Sequence, residues 1–111
     1  METTRQQKIA RLIQKDLGEI FIRESKSVFE GALITVTKVR ISRDLAIAKV
    51  YLSLFAVKDK QLLFKKIREH HHEIRYQLGS RIKNQIRSIP DLEFFIDDSL
   101  DYIENIENLL K

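Results

Sequence analysis

The stretch that decides the fold runs Ala32-Leu-Ile-Thr-Val-Thr-Lys-Val-Arg-Ile41, then Ser42-Arg-Asp44, then Leu45-Ala-Ile-Ala-Lys-Val-Tyr-Leu-Ser-Leu-Phe55. The first part is rich in β-branched residues, which suit a pleated, half-buried surface. Ile34 and Val36 alternate onto one face, whereas Val39 and Ile41 have the opposite parity. One extra residue near Thr37 or Lys38, a β-bulge, restores a common face. In the last part Ala46, Ala48, Val50, Leu52 and Leu54 share a face, and Lys49, Tyr51 and Ser53 share the other. Ser42-Arg43-Asp44 has turn chemistry. So short a connection predicts an antiparallel hairpin.

Working outward, Ile9, Leu12, Ile13, Leu17, Ile20 and Phe21 recur at helical spacing. They predict an amphipathic helix over 4–25, with Thr3 or Thr4 as its cap. Beyond the hairpin, residues 59–85 read as helix, with Leu63, Ile67, His70, Ile74, Leu78, Ile82 and Ile86 spaced by three and four. Gly79 lies within it and offers a place for a kink or a break into two helices. Pro90 disfavours helical geometry at Ile89. Leu92, Phe94 and Ile96 then alternate with Glu93, Phe95 and Asp97 as a third strand, and Ser99 caps a last helix bearing Leu100, Ile103, Ile106 and Leu110. The helical crossover permits parallel pairing of the third strand. The expectation is a single α+β domain over residues 1–111: αββααβ with a C-terminal helix, its three-stranded sheet covered by helices on one face.

The 111 residues are 43% hydrophobic and 32% charged, a mixture suited to a folded domain rather than a disordered tail. Lys and Arg number 20 against 16 Asp and Glu, for a net charge of +4. The distribution says more than the total. Between Lys65 and Arg87 the basic residues are opposed only by Glu69 and Glu73, whereas beyond Ser88 the acids are opposed only by Lys111. Such asymmetry fits one positive face presented to a polyanion, although a solvated helix surface gives the same pattern. With no cysteine, disulfides and thiolate chemistry are excluded. The N-terminal segment has no apolar signal core and no run is long enough to span a membrane, so the cytoplasm is the expected location.

Catalytic constellations are absent. The three glycines, Gly18, Gly31 and Gly79, are too dispersed for a phosphate loop. Asp97-Asp98 after a strand reads as a turn and cap more readily than as a catalytic pair. His70-His71-His72 are the only histidines. Consecutive helical residues diverge by roughly 100° around the axis, so a shared metal would require the helix to break there. The expectation is one partly buried histidine, His70, with two exposed ones, and no metal, cofactor or small-molecule substrate.

The αββααβ order matches no helix-turn-helix or zinc module but does match the KH type of RNA-binding domain. Arg75, Arg81, Lys83 and Arg87 alternate with the apolar stripe and are expected to form a solvent-facing phosphate-binding row, extended by Arg40 and Arg43 near the hairpin turn. The Gly-x-x-Gly clamp of a standard KH domain is missing; Gly79-Ser80-Arg81-Ile82 does not supply it.

Three blocks carry a more specific signal. Ser42-Arg-Asp-Leu-Ala-Ile-Ala-Lys-Val-Tyr51, Ile74-Arg-Tyr-Gln-Leu-Gly79 and Ile89-Pro-Asp-Leu-Glu-Phe-Phe-Ile-Asp-Asp-Ser-Leu100, in that order, resemble the ribosome-binding factor A family, as does the helix from Arg5 to Ile22. The resemblance implies a KH-like fold of type II without the glycine clamp, and no catalysis or cofactor. It implies a cold-associated factor, expected as a monomer, that binds the small (30S) ribosomal subunit and assists processing of 16S rRNA. Where that family has an Ala-x-Gly kink between two central helices, this chain has His70-His71-His72; the helix either runs straighter there or is capped at a break by histidine. Two other readings stand beside it: a protein-interaction module docking through a strand edge or the acidic C-terminal helix, and, far behind, a hydrolase using Asp97, Asp98 and a histidine.

Overall fold

The computed structural model describes residues 3–97. The predicted C-terminal helix with its Ser99 cap, and Asp98, lie outside the described residues.

The first helix, α1 (Thr4–Val28), begins at a capping box. Thr3 Oγ1 accepts from the Gln6 amide at 3.1 Å, and the Gln6 side chain accepts from the Thr3 amide at 2.8 Å. Two otherwise orphaned donors are thereby satisfied. The Gln6 amide nitrogen, deep in the fold, also donates to the Ile41 carbonyl at 2.9 Å. Along α1, Ile9, Ile13, Leu17, Ile20 and Phe21 bury one face. The helix runs three residues past the predicted end and stops where Glu30 and Gly31 take positive φ. There the Gly31 amide bonds back to the Ser25 carbonyl at 2.8 Å, the closing pattern of a helix that ends in left-handed residues.

Strands β1 (Leu33–Ile41) and β2 (Ile47–Phe55) pair antiparallel. Val36 faces Leu52 and Lys38 faces Tyr51, so Thr37 is the extra residue. The bulge expected from side-chain parity is present, and Ile34, Val36, Val39 and Ile41 all point into the core. Ser42 and Asp44 build the turn. Asp44 Oδ1 accepts from the Ser42 hydroxyl at 2.7 Å and from the Ala46 amide at 3.1 Å, while Ser42 Oγ accepts from Ala46 and Ile47. These bonds stabilise the carboxylate, the Ser42 bond most, and hold Asp44 below the usual carboxylate range.

The long helical segment is two helices, α2 (Lys60–Glu69) and α3 (His71–Ile82), broken at His70. Gly79 is therefore not the break. It stays helical, and a Cβ there would meet Ile89 Cγ1 at 3.3 Å; the bare backbone admits the loop that follows α3. The break is capped by histidine: His70 Nδ1 lies 2.8 Å from the Lys66 carbonyl, and its ring meets Phe29 edge-on. His70 and His71 are both half-buried, and only His72 is exposed. The expectation of two exposed histidines thus fails at His71, whose ring turns toward Phe94. Helix α3 also ends earlier than predicted, at Ile82, because residues 83–90 fold back to tuck Ile86, Ile89 and Pro90 against the core.

Strand β3 (Asp91–Ile96) pairs parallel with β2, giving the order β1-β2-β3 with β2 in the centre. Val50, Leu52, Leu54, Leu92 and Phe94 pack against α1, α2 and α3 through Ile13, Leu17, Ile67, Leu78 and Ile82. The helices cover one face of the sheet. Lys38, Arg40, Lys49, Glu93 and Phe95 project from the other, which no described helix covers.

Candidate nucleic-acid interface

The six basic residues singled out from the sequence fall into two groups. Arg75 and Arg81 are engaged. The Arg75 guanidinium donates to the carbonyls of Pro90 at 3.0 Å and Ile89 at 2.6 Å and lies 3.4 Å from Asp91 Oδ1. It ties α3 to the start of β3. The Arg81 guanidinium bridges from α3 to α1, donating to Asp16 Oδ1 at 2.9 Å and to Glu19. The expected solvent-facing row is therefore interrupted at its first two members, whose charges are already met by carboxylates. Arg40, Arg43, Lys83 and Arg87 are exposed, and among the described residues no carboxylate pairs with them.

Folding brings other cations to two of these, Arg87 and Arg40. Arg87 lines a cavity of about 490 Å³ with Arg5 and Lys8 from the first turns of α1. This basic end joins the two ends of the chain's helical layer, a juxtaposition that sequence distance conceals. Arg40 stands beside Lys49 in register on the sheet face that no described helix covers, with Lys38 two pairs further along on the same face. The odd spacing of Lys38 and Arg40 from the bulge and the strand alternation carried that signal.

A second recess, of about 730 Å³, opens between the outer edge of β3 and the broken helix pair, lined by Gln61, Phe64, Arg68 and His71 and by Leu92 to Ile96. In KH domains a glycine-rich loop at such a helix break clamps nucleic-acid backbone. Here the break carries His70-His71-His72-Glu73, which offers side chains rather than closely approachable backbone. Among the described residues no three His, Asp or Glu side chains gather as a metal site, and no helix is long and apolar enough to cross a membrane. Asp97 Oδ2 accepts from Thr37 at 2.6 Å.

A three-stranded sheet with its helices on one face, in αββααβ order and with a helix break lacking the glycine clamp, defines a KH-like domain of type II. The comparisons narrow this class. The sequence model described as ribosome-binding factor A matches residues 5–110, and the chain belongs to that family. It is 44% identical to ribosome-binding factor A of Cytophaga hutchinsonii over 110 residues, 99% of this chain and 83% of that protein. The fold is similar to the crystal structure of ribosome-binding factor A from Thermus thermophilus, with a TM-score of 0.66 and 24% identity over 82% of this chain and 94% of that one. It is also similar to a Thermus thermophilus ribosome-binding factor A fitted into a cryo-EM map of its complex with 30S, with a TM-score of 0.61 and 25% identity over 78% of this chain and 89% of that one.

Proposed function

We propose that this protein is a noncatalytic, monomeric, cytoplasmic assembly factor that binds the small ribosomal subunit through 16S rRNA and assists processing of that RNA, with its demand greatest in the cold. The observation that carries this reading is the family match across residues 5–110, in a family of which a Thermus thermophilus member has been fitted into a 30S complex. Exposed cations supply a physical route. Arg40, Arg43, Lys83 and Arg87 stand ready to neutralise phosphates, whereas Arg75 and Arg81 act first as internal ties and reach RNA only secondarily. Binding that prefers one arrangement of the rRNA shifts its population toward that arrangement without any chemical step.

The test is cosedimentation of the full chain with purified small and large subunits across a salt series. Binding to the small subunit alone, falling steeply as salt rises, is the expected result. Lys83→Glu with Arg87→Glu should weaken it and flatten the salt slope by about one for each phosphate no longer neutralised. Salt-insensitive binding would favour a protein contact, for which the outer edge of β3 is one backbone edge of the sheet. No binding to either subunit would reject the proposal.

A further inference from the structure

On the sheet face away from the helices, Tyr51 and Phe95 are cross-strand neighbours whose rings stack, 5.3 Å between centroids and 25° between planes. Phe95 remains 38% exposed, unusual for an aromatic ring with a helical layer available on the opposite face. The Lys38 ammonium sits 6.0 Å from the Tyr51 ring centroid. Arg40 and Lys49, paired in register, extend the positive charge beside the rings along β1 and β2. The acids of this face lie along β3: Asp91 is exposed and meets Arg75 at 3.4 Å, Glu93 lies in register with Lys49, and Asp97 accepts from the neutral Thr37 hydroxyl, so the positive track runs along β1 and β2.

Exposed aromatic faces flanked by a track of cations are what a single strand of nucleic acid requires, since every base has a face to stack and every linkage a charge to neutralise. We propose that the part of this sheet face around Arg40, Lys49 and Phe95, which no described helix covers, is a second RNA surface, which takes one or two unpaired bases of single-stranded RNA on Phe95 and Tyr51 while Lys38, Arg40 and Lys49 hold the adjoining phosphates. The cations of β1 and β2, strands that carry no acid, favour an anionic ligand, and the stacked aromatic pair beside them favours one that also bears bases, RNA rather than an acidic peptide. Duplex RNA is excluded by the same chemistry, as its bases are stacked on one another and unavailable. The proposal rests on the reading that this protein binds RNA, and adds base stacking to phosphate recognition.

The experiment uses the full chain, a labelled single-stranded oligouridylate heptamer, and an abasic heptamer of equal charge, followed by fluorescence anisotropy without any ribosomal subunit. The base-bearing heptamer should bind at least about fivefold more tightly than the abasic one, the lower limit of one stacked base. Phe95→Ser should remove that difference and leave abasic binding unchanged. Tyr51→Leu, which keeps apolar volume in the sheet, should do the same and guards against a folding defect in the first variant. Lys49→Gln should weaken both heptamers alike. Equal binding of the two heptamers, no binding of either, or a base-dependent difference retained in both aromatic variants would overturn the proposal. Loss of subunit cosedimentation in Phe95→Ser without any heptamer binding would also overturn it, and would assign the face to a protein ligand.

Discussion

At Asp44 a single carboxylate organises the hairpin turn, and its depressed pKa gives the turn a pH dependence of definite sign. The ionised form is the one that the Ser42 hydroxyl and the Ala46 amide stabilise. Its contribution is present above the unfolded carboxylate pKa and disappears as pH falls through the lower, folded value. Asp44→Asn should therefore lower the thermal midpoint at neutral pH, and the gap from the parent should narrow as pH falls below the ordinary carboxylate value of 3.8, as read by circular dichroism. Arg75 makes a different kind of contribution. Removing its guanidinium leaves the carbonyls of Ile89 and Pro90 without their donor, and Arg75→Ala should cost on the order of 1–2 kcal/mol in urea unfolding. Ser53 presents the reverse case: its hydroxyl is buried with no partner among the described residues. Ser53→Ala should be neutral or stabilising by up to about 1 kcal/mol, since an unmet polar group is removed from the interior. That Arg75 and Arg81 carry positive charge was legible in the sequence; that both spend it on internal partners was not. Asp16 and Glu19 lie on another helix, 65 and 62 positions away from Arg81, and no local pattern reports a contact of that span.

The elements themselves were largely legible because each rests on a local rule. The parity change between Val36 and Val39 required one surplus residue, and Thr37 is that residue. Its removal tests the point. Without Thr37, Val36 would still face Leu52 and Lys38 would still face Tyr51, so the deletion should fold with the same pairing in a flatter hairpin. Removing Thr35 instead should turn Leu33 inward and Ile34 outward and abolish cooperative unfolding. Cross-strand proton contacts between Val39 and Val50 in the first variant, and their absence in the second, would check both outcomes. The helix break was less legible. Gly79 has the weaker helix propensity, yet tertiary packing overrides it, because Ile89 occupies the space beside its α-carbon. His70 breaks the helix through contacts with Lys66 and Phe29, and the second of these lies across the fold, beyond any window on the sequence.

For the molecule as a whole, stability rests on the layer between α1 and the sheet. Leu17 is fully buried there. Leu17→Ala should cost about 2–5 kcal/mol, a large share of the roughly 5–15 kcal/mol that holds a domain of this kind together; a shifted urea midpoint at unchanged slope would record it. The candidate site was less legible at this scale than the fold. A basic segment can be counted along a chain, but the assembly of Arg5, Lys8 and Arg87 around one cavity is a property of the closed structure alone. The topology also sets an order of events. The central strand β2 is flanked on one side by its hairpin partner and on the other by a strand that arrives only after two intervening helices. As the chain emerges during synthesis, α1 and the hairpin are available while the second edge of β2 is still bare. Closing that edge requires a loop of roughly 40 residues to be ordered first, a contact of high sequence separation and correspondingly slow formation. Acquisition of β3 is therefore the expected late step of folding, and until residue 96 has docked the apolar central strand β2 is itself an edge, of the kind that invites association between chains.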